Sequence, residues 1–274
     1  MCQTLGTFPP SQSPSPSSSV DISELVDDVA AFRAELAAAK SQLAPPERWY
    51  PYDTLGNVGA IDQMLSAGHR DLGVLAGGRP VADIGAGDGV LAFLLARHGF
   101  AVDIVDWGPT NWNGLAGARL LADHFATTVE VHEVDLDSQF DLPRARYGLV
   151  FFLGILYHLQ NPFFALRALA ERSDHVLLST RVARVTADGK VPLDAAPIAY
   201  LVSPTETNDD PTNYWIFSPT GLRRLCERTG WDVVDEAFFG RTEGDSDPSG
   251  QDRDERAFLL LSRRPGGDEE PGRP

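Results

Sequence analysis

Val81-Ala82-Asp83-Ile84-Gly85-Ala86-Gly87-Asp88-Gly89-Val90 decides the fold of this chain. A short apolar run meets an acidic residue, three glycines follow at alternate positions, and a helical pattern runs from Leu91 to His98. The stretch reads as a buried strand, a tight turn, and a helix whose N-terminus points at a ligand. Glycine suits such a turn because the backbone needs unusual dihedrals and because a Cβ would hold a ligand away from it. Nucleotide binders of many kinds share that pattern, so its surroundings must name the ligand.

Outward from the turn, two patterns alternate. Apolar strand-like stretches fall at residues 80–84, 101–106, 128–134, 147–153 and 175–181, with helical ones at 88–98, 113–125, 161–171 and 219–229. This alternation predicts an α/β fold, a mostly parallel sheet with helices on both faces. The rhythm breaks over residues 182–217, which are rich in Pro, Asp and Thr. Two further strand patterns, 231–239 and 255–262, flank a polar loop and predict an antiparallel hairpin closing one edge. Ahead of the turn, Asp21 and Glu24 have capping-box spacing. Leu25, Val29, Phe32 and Leu36 share one face of a helix from Ile22 to Leu43, and Pro45-Pro46 ends it. The Pro/Ser-rich start and the tail cannot bury a core. The domain reading is therefore a disordered N-terminus (1–20), an N-terminal helical cap (21–78), the α/β domain (79–262), and a disordered tail (263–274).

Lys and Arg total 23 against 39 Asp and Glu, for a formal charge of −16, and the only lysines are Lys40 and Lys190. An acidic body repels a polyanion, so nucleic acid is disfavoured as a partner. Arg223, Arg224 and Arg228, sharing the last helix, are the candidate basic patch that would override this. No apolar run approaches the roughly 18 residues that span a bilayer, so no membrane role is expected. Met1 to Val20 lacks the basic and apolar regions of a secretory signal. Cys2 and Cys226 are too few for a disulfide framework, and a cytoplasmic location is expected.

In doubly wound sheets, ligands bind at the carboxyl ends of the strands. Here an acidic residue stands at the end of each of the first three: Asp83, Asp106 and Asp135. Asp106, 17 residues past Gly89, is placed to accept both hydroxyls of a ribose. Taken singly, each of these is equally a helix cap or turn former. A dinucleotide-binding enzyme would show Gly-x-Gly-x-x-Gly, whereas here the third glycine follows after one residue.

At these residues the chain resembles the class I S-adenosylmethionine-dependent methyltransferases. The resemblance implies a Rossmann-like seven-stranded sheet and S-adenosyl-L-methionine as cofactor. Asp83, Gly85, Ala86, Gly87 and Gly89 would cradle its methionine part, Asp106 its ribose, and Asp135 and Leu136 would lie beside adenine. Trp107, next to the ribose acid, would stack near the base, and Leu153 would complete the pocket from the fourth strand. A narrower likeness runs through Phe152-Leu153-Gly154-Ile155-Leu156-Tyr157-His158-Leu159-Gln160-Asn161-Pro162, which is similar to the segment after the fourth strand of bacterial tRNA wobble-uridine carboxymethyltransferases. Arg48-Trp49-Tyr50-Pro51-Tyr52-Asp53 and Asn208-Asp209-Asp210-Pro211-Thr212-Asn213-Tyr214-Trp215-Ile216 resemble the same group. Those enzymes are expected to carry basic surface and a lysine for the extra carboxylate of carboxy-S-adenosylmethionine. Ahead of the glycine turn this acidic chain has only Lys40, which favours the ordinary cofactor and an acceptor other than RNA.

Methyl transfer needs positioning, desolvation and sometimes a base. His158 is the candidate base for a hydroxyl or amine, and Tyr157 the candidate wall of the methyl pocket. Both are equally readable as packing residues of a strand-to-helix turn. Trp49, Tyr50, Tyr52, Tyr214 and Trp215 are candidate substrate-pocket residues, covering cofactor or acceptor, or else core anchors. His69, His98, His124, His132 and His175 have no metal spacing, and Glu133, Asp135 and Asp137 on one strand face are not read as a metal site. The expected activity is methyl transfer from S-adenosylmethionine to an oxygen or nitrogen of a small molecule or saccharide. The alternatives are tRNA wobble-uridine modification and a non-catalytic binding module of the same fold.

Overall fold

Nine strands form one sheet among the described residues of the computed structural model, which are 19–43, 48–125, 127–249 and 251–265. They are β1 (Val81–Ile84), β2 (Val102–Asp106), β3 (Glu130–Glu133), β4 (Tyr147–Leu153), β5 (Ser173–Val182), β6 (Ala199–Leu201), β7 (Trp215–Phe217), β8 (Trp231–Gly240) and β9 (Glu255–Arg263). β3-β2-β1-β4-β5 run parallel in that order. β9 pairs antiparallel with β5 and carries β8 on its outer side, which makes the expected hairpin.

The seven expected strands are joined by two that the pattern does not predict. β7 pairs with β5 at Val182↔Phe217, beyond the point where β4 has ended, and β6 pairs antiparallel with β7. Three residues each are too few for periodicity to register. The segment around them is locked to the 241–254 loop through Glu255. Its fully buried carboxylate accepts from Arg184 Nη2 at 2.7 Å and from Ser246 Oγ at 2.5 Å.

Seven helices complete the described chain: α1 (Ile22–Gln42), α2 (Gly56–Met64), α3 (Leu72–Ala76), α4 (Val90–Arg97), α5 (Ala116–Phe125), α6 (Pro162–Arg172) and α7 (Pro219–Arg228). Both halves of the Asp21–Glu24 capping box are present. Pro45 and Pro46 lie outside the described residues, as does most of the two segments expected to be disordered; Ser19, Val20 and residues 263–265 are described, and β9 continues through Arg263.

The alternation of side chains along the strands splits the core into two layers. Val81, Phe151, Leu177 and Leu260 meet the cap through Phe32 and Ile61, and α4 and α5 through Leu94 and Leu121. Ala82, Phe152, Leu178 and Leu259 meet α6 and α7 through Leu166 and Leu222. Phe32 joins the cap to the sheet layer: it is 2 % exposed, and its ring lies 5.9 Å from that of Phe125, itself 5.5 Å from Phe93. Phe32→Ala should cost about 3 kcal/mol or more in urea unfolding, with cap and sheet melting together. A cost below about 1 kcal/mol would mean that the cap does not share this core.

Candidate active site

β1 is hydrogen-bonded to β2 on one side and β4 on the other, so the sheet reverses its winding there. Segments leaving β1 and β4 diverge at such a point and open a crevice. The glycine turn leaves β1 and the Gly154–His158 segment leaves β4. Gly85, Gly87 and Gly89 have φ of +72°, +62° and +73°, the left-handed region that side chains disfavour. Close approach is the second reason for glycine, and here the protein itself requires it. A Cβ on Gly87 would stand 2.9 Å from the Tyr50 ring, and one on Gly89 2.2 Å from Ile104.

Three buried carboxylates surround the turn. Asp106, 6 % exposed at the end of β2, accepts from Gly87 N (3.1 Å), Trp107 N (2.8 Å) and Asn111 Nδ2 (2.8 Å). Asp88, 1 % exposed, accepts from Lys40 Nζ (3.0 Å), Tyr50 N (2.9 Å) and Asn113 Nδ2 (2.7 Å). It thereby ties α1, the aromatic lead-in and the start of α5 to one point on the turn. Asp83 is also buried, and its pKa is pushed up to about 7 by desolvation and by the neighbouring Asp106 charge, against a hydrogen bond from the backbone of Ala92. Asp106 is likewise raised by desolvation, although its three donors oppose the shift.

Of the expected cofactor residues, the turn and Asp106 come together, and Ala86 of the turn is buried in the first core layer. Trp107 follows at the strand end, half-buried. The third strand end behaves differently. Asp135 spends its carboxylate on a local turn, accepting from Asp137 N (2.9 Å), Ser138 N (3.1 Å) and Ser138 Oγ (2.5 Å). Those bonds, the Ser138 hydroxyl first, lower its pKa. Leu136 packs into the second core layer, and Leu153 against the first.

The aromatic lead-in divides in the same way. Tyr50 lies on Gly87, and burial, with Tyr157 and Asp106 nearby, raises its pKa to about 12. Trp49 packs against the cap layer, with Lys40 Nζ 4.7 Å from its ring centre. Tyr52 is 67 % exposed and meets Tyr50 edge-on at 5.4 Å. Trp215 is a half-buried β7 residue packed against the second core layer. Tyr214 keeps to the site, donating its N–H to the Tyr157 carbonyl at 2.9 Å.

Tyr157 and His158 lie in one short 3-10 turn, Leu156–His158, with rings 4.3 Å apart. His158 Nδ1 lies 2.9 Å from Thr212 Oγ1 and 3.2 Å from the Thr212 carbonyl, and Thr212 Oγ1 donates to Asp210 Oδ1 at 2.6 Å. A carbonyl only accepts, and the Thr212 proton is already given to Asp210. The proton on the ring is therefore assigned to Nδ1, leaving Nε2 with the lone pair. Desolvation lowers the His158 pKa below 6.5, so the ring is neutral at pH 7. Asp210 is held by a turn in which Asn208 and Asp209 take φ of +56° and +51°, values these two residue types tolerate. Arg256 of β9 donates from Nη2 to the Tyr157 hydroxyl at 3.4 Å.

Two peripheral features carry less. Arg223, from the expected basic patch, is bonded to Glu236, so acids interleave it. Asp103, Glu130 and His132 bring ligand-type atoms within 4.8 Å of one another, but Arg144 Nε (2.7 Å) and the Tyr147 hydroxyl (2.6 Å) already hold Asp103.

A family model described as a methyltransferase domain matches residues 59–236, and the chain belongs to that family. It is an S-adenosylmethionine-dependent methyltransferase of the Rossmann-like α/β fold. The N-terminal domain of EvdMO1 with S-adenosylhomocysteine (SAH) bound is similar in fold, with a TM-score of 0.54 at 18 % identity over 85 % of this chain and 97 % of that one. The same domain crystallised in the presence of SAH and D-fucose gives 0.52 at 20 % identity, over 70 % and 79 %. The [4+2]-cyclase SpnF gives 0.53 at 16 % identity, over 89 % and 95 %. No curated protein matches the chain in sequence. No helix among the described residues is long and apolar enough to cross a membrane.

Two predictions follow from the carboxylates. Asp106→Asn keeps the shape of the strand end and should weaken SAH binding by calorimetry on the order of a hundredfold, as expected for losing charged acceptors of two hydroxyls. Unchanged affinity in a folded variant would remove Asp106 from the cofactor site. Asp83 has a folded pKa of about 7, above its unfolded value near 3.9, so its stabilising contribution is complete below about pH 4 and lost as pH rises through about 7. Asp83→Asn should therefore gain melting temperature relative to the parent between pH 5 and pH 8. A constant difference across that range would contradict the assignment.

Proposed function

We propose that this enzyme methylates an oxygen or nitrogen of a small-molecule or saccharide acceptor, and that His158 is its general base. The observation that carries the reading is the His158–Thr212–Asp210 chain of hydrogen bonds. It orients the ring, protonates Nδ1, and keeps Nε2 unprotonated at neutral pH. Bound S-adenosylmethionine supplies an electrophilic methyl group on a sulfonium sulfur. The glycine turn and Asp106 would hold its methionine and ribose parts, since the turn's left-handed glycines carry no Cβ and the buried Asp106 carboxylate stands against them. Tyr157 and Tyr50 wall the space between the turn and the β4 exit and exclude water. As the acceptor atom attacks, its proton passes to His158 Nε2.

The acceptor class rests on charge and on a structural neighbour. A chain of −16 disfavours tRNA, and Lys40, the lysine ahead of the turn, is bound to Asp88. EvdMO1, whose domain shares this fold, was crystallised with D-fucose, which supports a saccharide acceptor. The same fold in a cyclase is a reminder that fold alone does not assign chemistry.

SAH release should be followed over a panel of saccharides, phenols, amines and bulk tRNA. With the acceptor found, kcat/KM should rise with pH along a limb below 6.5, and His158→Gln should lose that limb with roughly a hundredfold or greater fall in rate. Retention of both by His158→Gln would make His158 structural. Turnover of tRNA alone would overturn the acceptor class.

A further inference from the structure

Ser179-Thr180-Arg181 lies near the end of β5, and all three side chains are buried, at 1 %, 0 % and 2 % exposure. Ser179 Oγ, Thr180 Oγ1 and Arg181 Nη1 and Nη2 find no hydrogen-bond partner among the described residues. Buried polar groups are normally satisfied, and a buried guanidinium is a costly exception. Directly across the β5–β9 ladder from Arg181 stands a second arginine, Arg256. Alternation puts both on the face that carries Leu177 and Phe258, the cap side. Like charges directly opposite in a ladder repel.

One carboxylate serves both. Asp254 Oδ1 is 2.5 Å from Arg181 Nε, and its Oδ2 is 3.5 Å from Arg256 Nε. The trio thus holds a surplus positive charge inside a strongly acidic protein. Arg256 is the accessible member, with its side chain 35 % exposed, its guanidinium 5.7 Å from the Tyr157 ring centre, and Nη2 on the Tyr157 hydroxyl.

We propose that the methyl acceptor carries a carboxylate or phosphate group and that Arg256, backed by Arg181 and Asp254, binds it. This rests on the proposed function and names the chemistry of its acceptor. A planar guanidinium fork matches the paired oxygens of either anion. When such a group engages Arg256, Asp254 is released to Arg181 alone, and each guanidinium then has its own anion. A small anion meets this local charge, whereas a polyanion meets the acidic surface first.

Inorganic phosphate and acetate are the probes, titrated by calorimetry into the SAH-loaded protein. One equivalent of either should bind saturably to the parent. Binding should weaken about tenfold or more in Arg256→Gln and less in Arg256→Lys, with SAH affinity unchanged in both. In the acceptor panel, D-glucuronate should be preferred over D-glucose, and the preference should vanish in Arg256→Gln. The proposal is overturned if the parent binds neither anion, or if Arg256→Gln and Arg256→Lys bind as the parent does. It is also overturned if carboxy-S-adenosylmethionine binds at least about tenfold tighter than S-adenosylmethionine and that advantage is lost in Arg256→Gln, because the arginines would then read the cofactor. Failure of the parent to bind SAH would instead fail the methyltransferase site itself, and this proposal with it.

Discussion

Three left-handed residues within five positions, Gly85, Gly87 and Gly89, make a turn that the chain must hold open by force of its neighbours. Two buried carboxylates do most of that holding. Asp106 takes the Gly87 N–H from the side of β2, and Asp88 gathers Lys40, the Tyr50 N–H and Asn113 from the cap and α5. The approach is close enough that Gly117 in α5 is also required, since a Cβ there would stand 2.2 Å from Asp88 Oδ1. The N-terminal cap is thus wired to the turn as well as packed on the sheet. Anything that loosens Lys40 or Tyr50 reaches the glycine turn directly.

The same small volume holds three acids, and the protein neutralises each differently. Asp88 has a lysine, Asp106 has three N–H donors, and Asp83 has mainly protonation, with its pKa raised to about 7. Buried charges must be paired, hydrogen-bonded or neutralised, and here all three solutions stand side by side. At the β4 exit the sign of the local charge reverses. Arg181 and Arg256 face each other across β5 and β9, with Asp254 shared between them. The acids thus lie around the glycine turn, while the arginine pair lies beside Tyr157.

Much of this was legible in the sequence because it depends on short-range pattern. The parallel strands are apolar runs long enough to read, the capping box spans four residues, and the glycine turn and Asp106 lie within one strand-turn-helix-strand unit. What escaped reading depends on partners far apart in the chain. Asp88 meets Lys40 across 48 residues, and His158 meets Thr212 across 54. Lys40 precedes the turn by more than forty residues, yet the path of α1 brings its ammonium onto Asp88. At Asp135 the pattern does not show that Ser138, three residues on, takes up its carboxylate in a local turn. Trp215 ends a polar insertion, and the three-residue β7 that packs it against the second core layer is too short for the pattern to show. Arg181 and Arg256 left no mark, because cross-strand register becomes visible only once β9 has inserted beside β5.

The most direct test of this account is a crystal structure of the protein with SAH. The two ribose hydroxyls are expected within hydrogen-bonding distance of the Asp106 carboxylate, with the methionine part against Gly85 to Gly89 and the sulfur toward Tyr157. SAH bound elsewhere, or bound with Asp106 still engaged only by Gly87, Trp107 and Asn111, would contradict it.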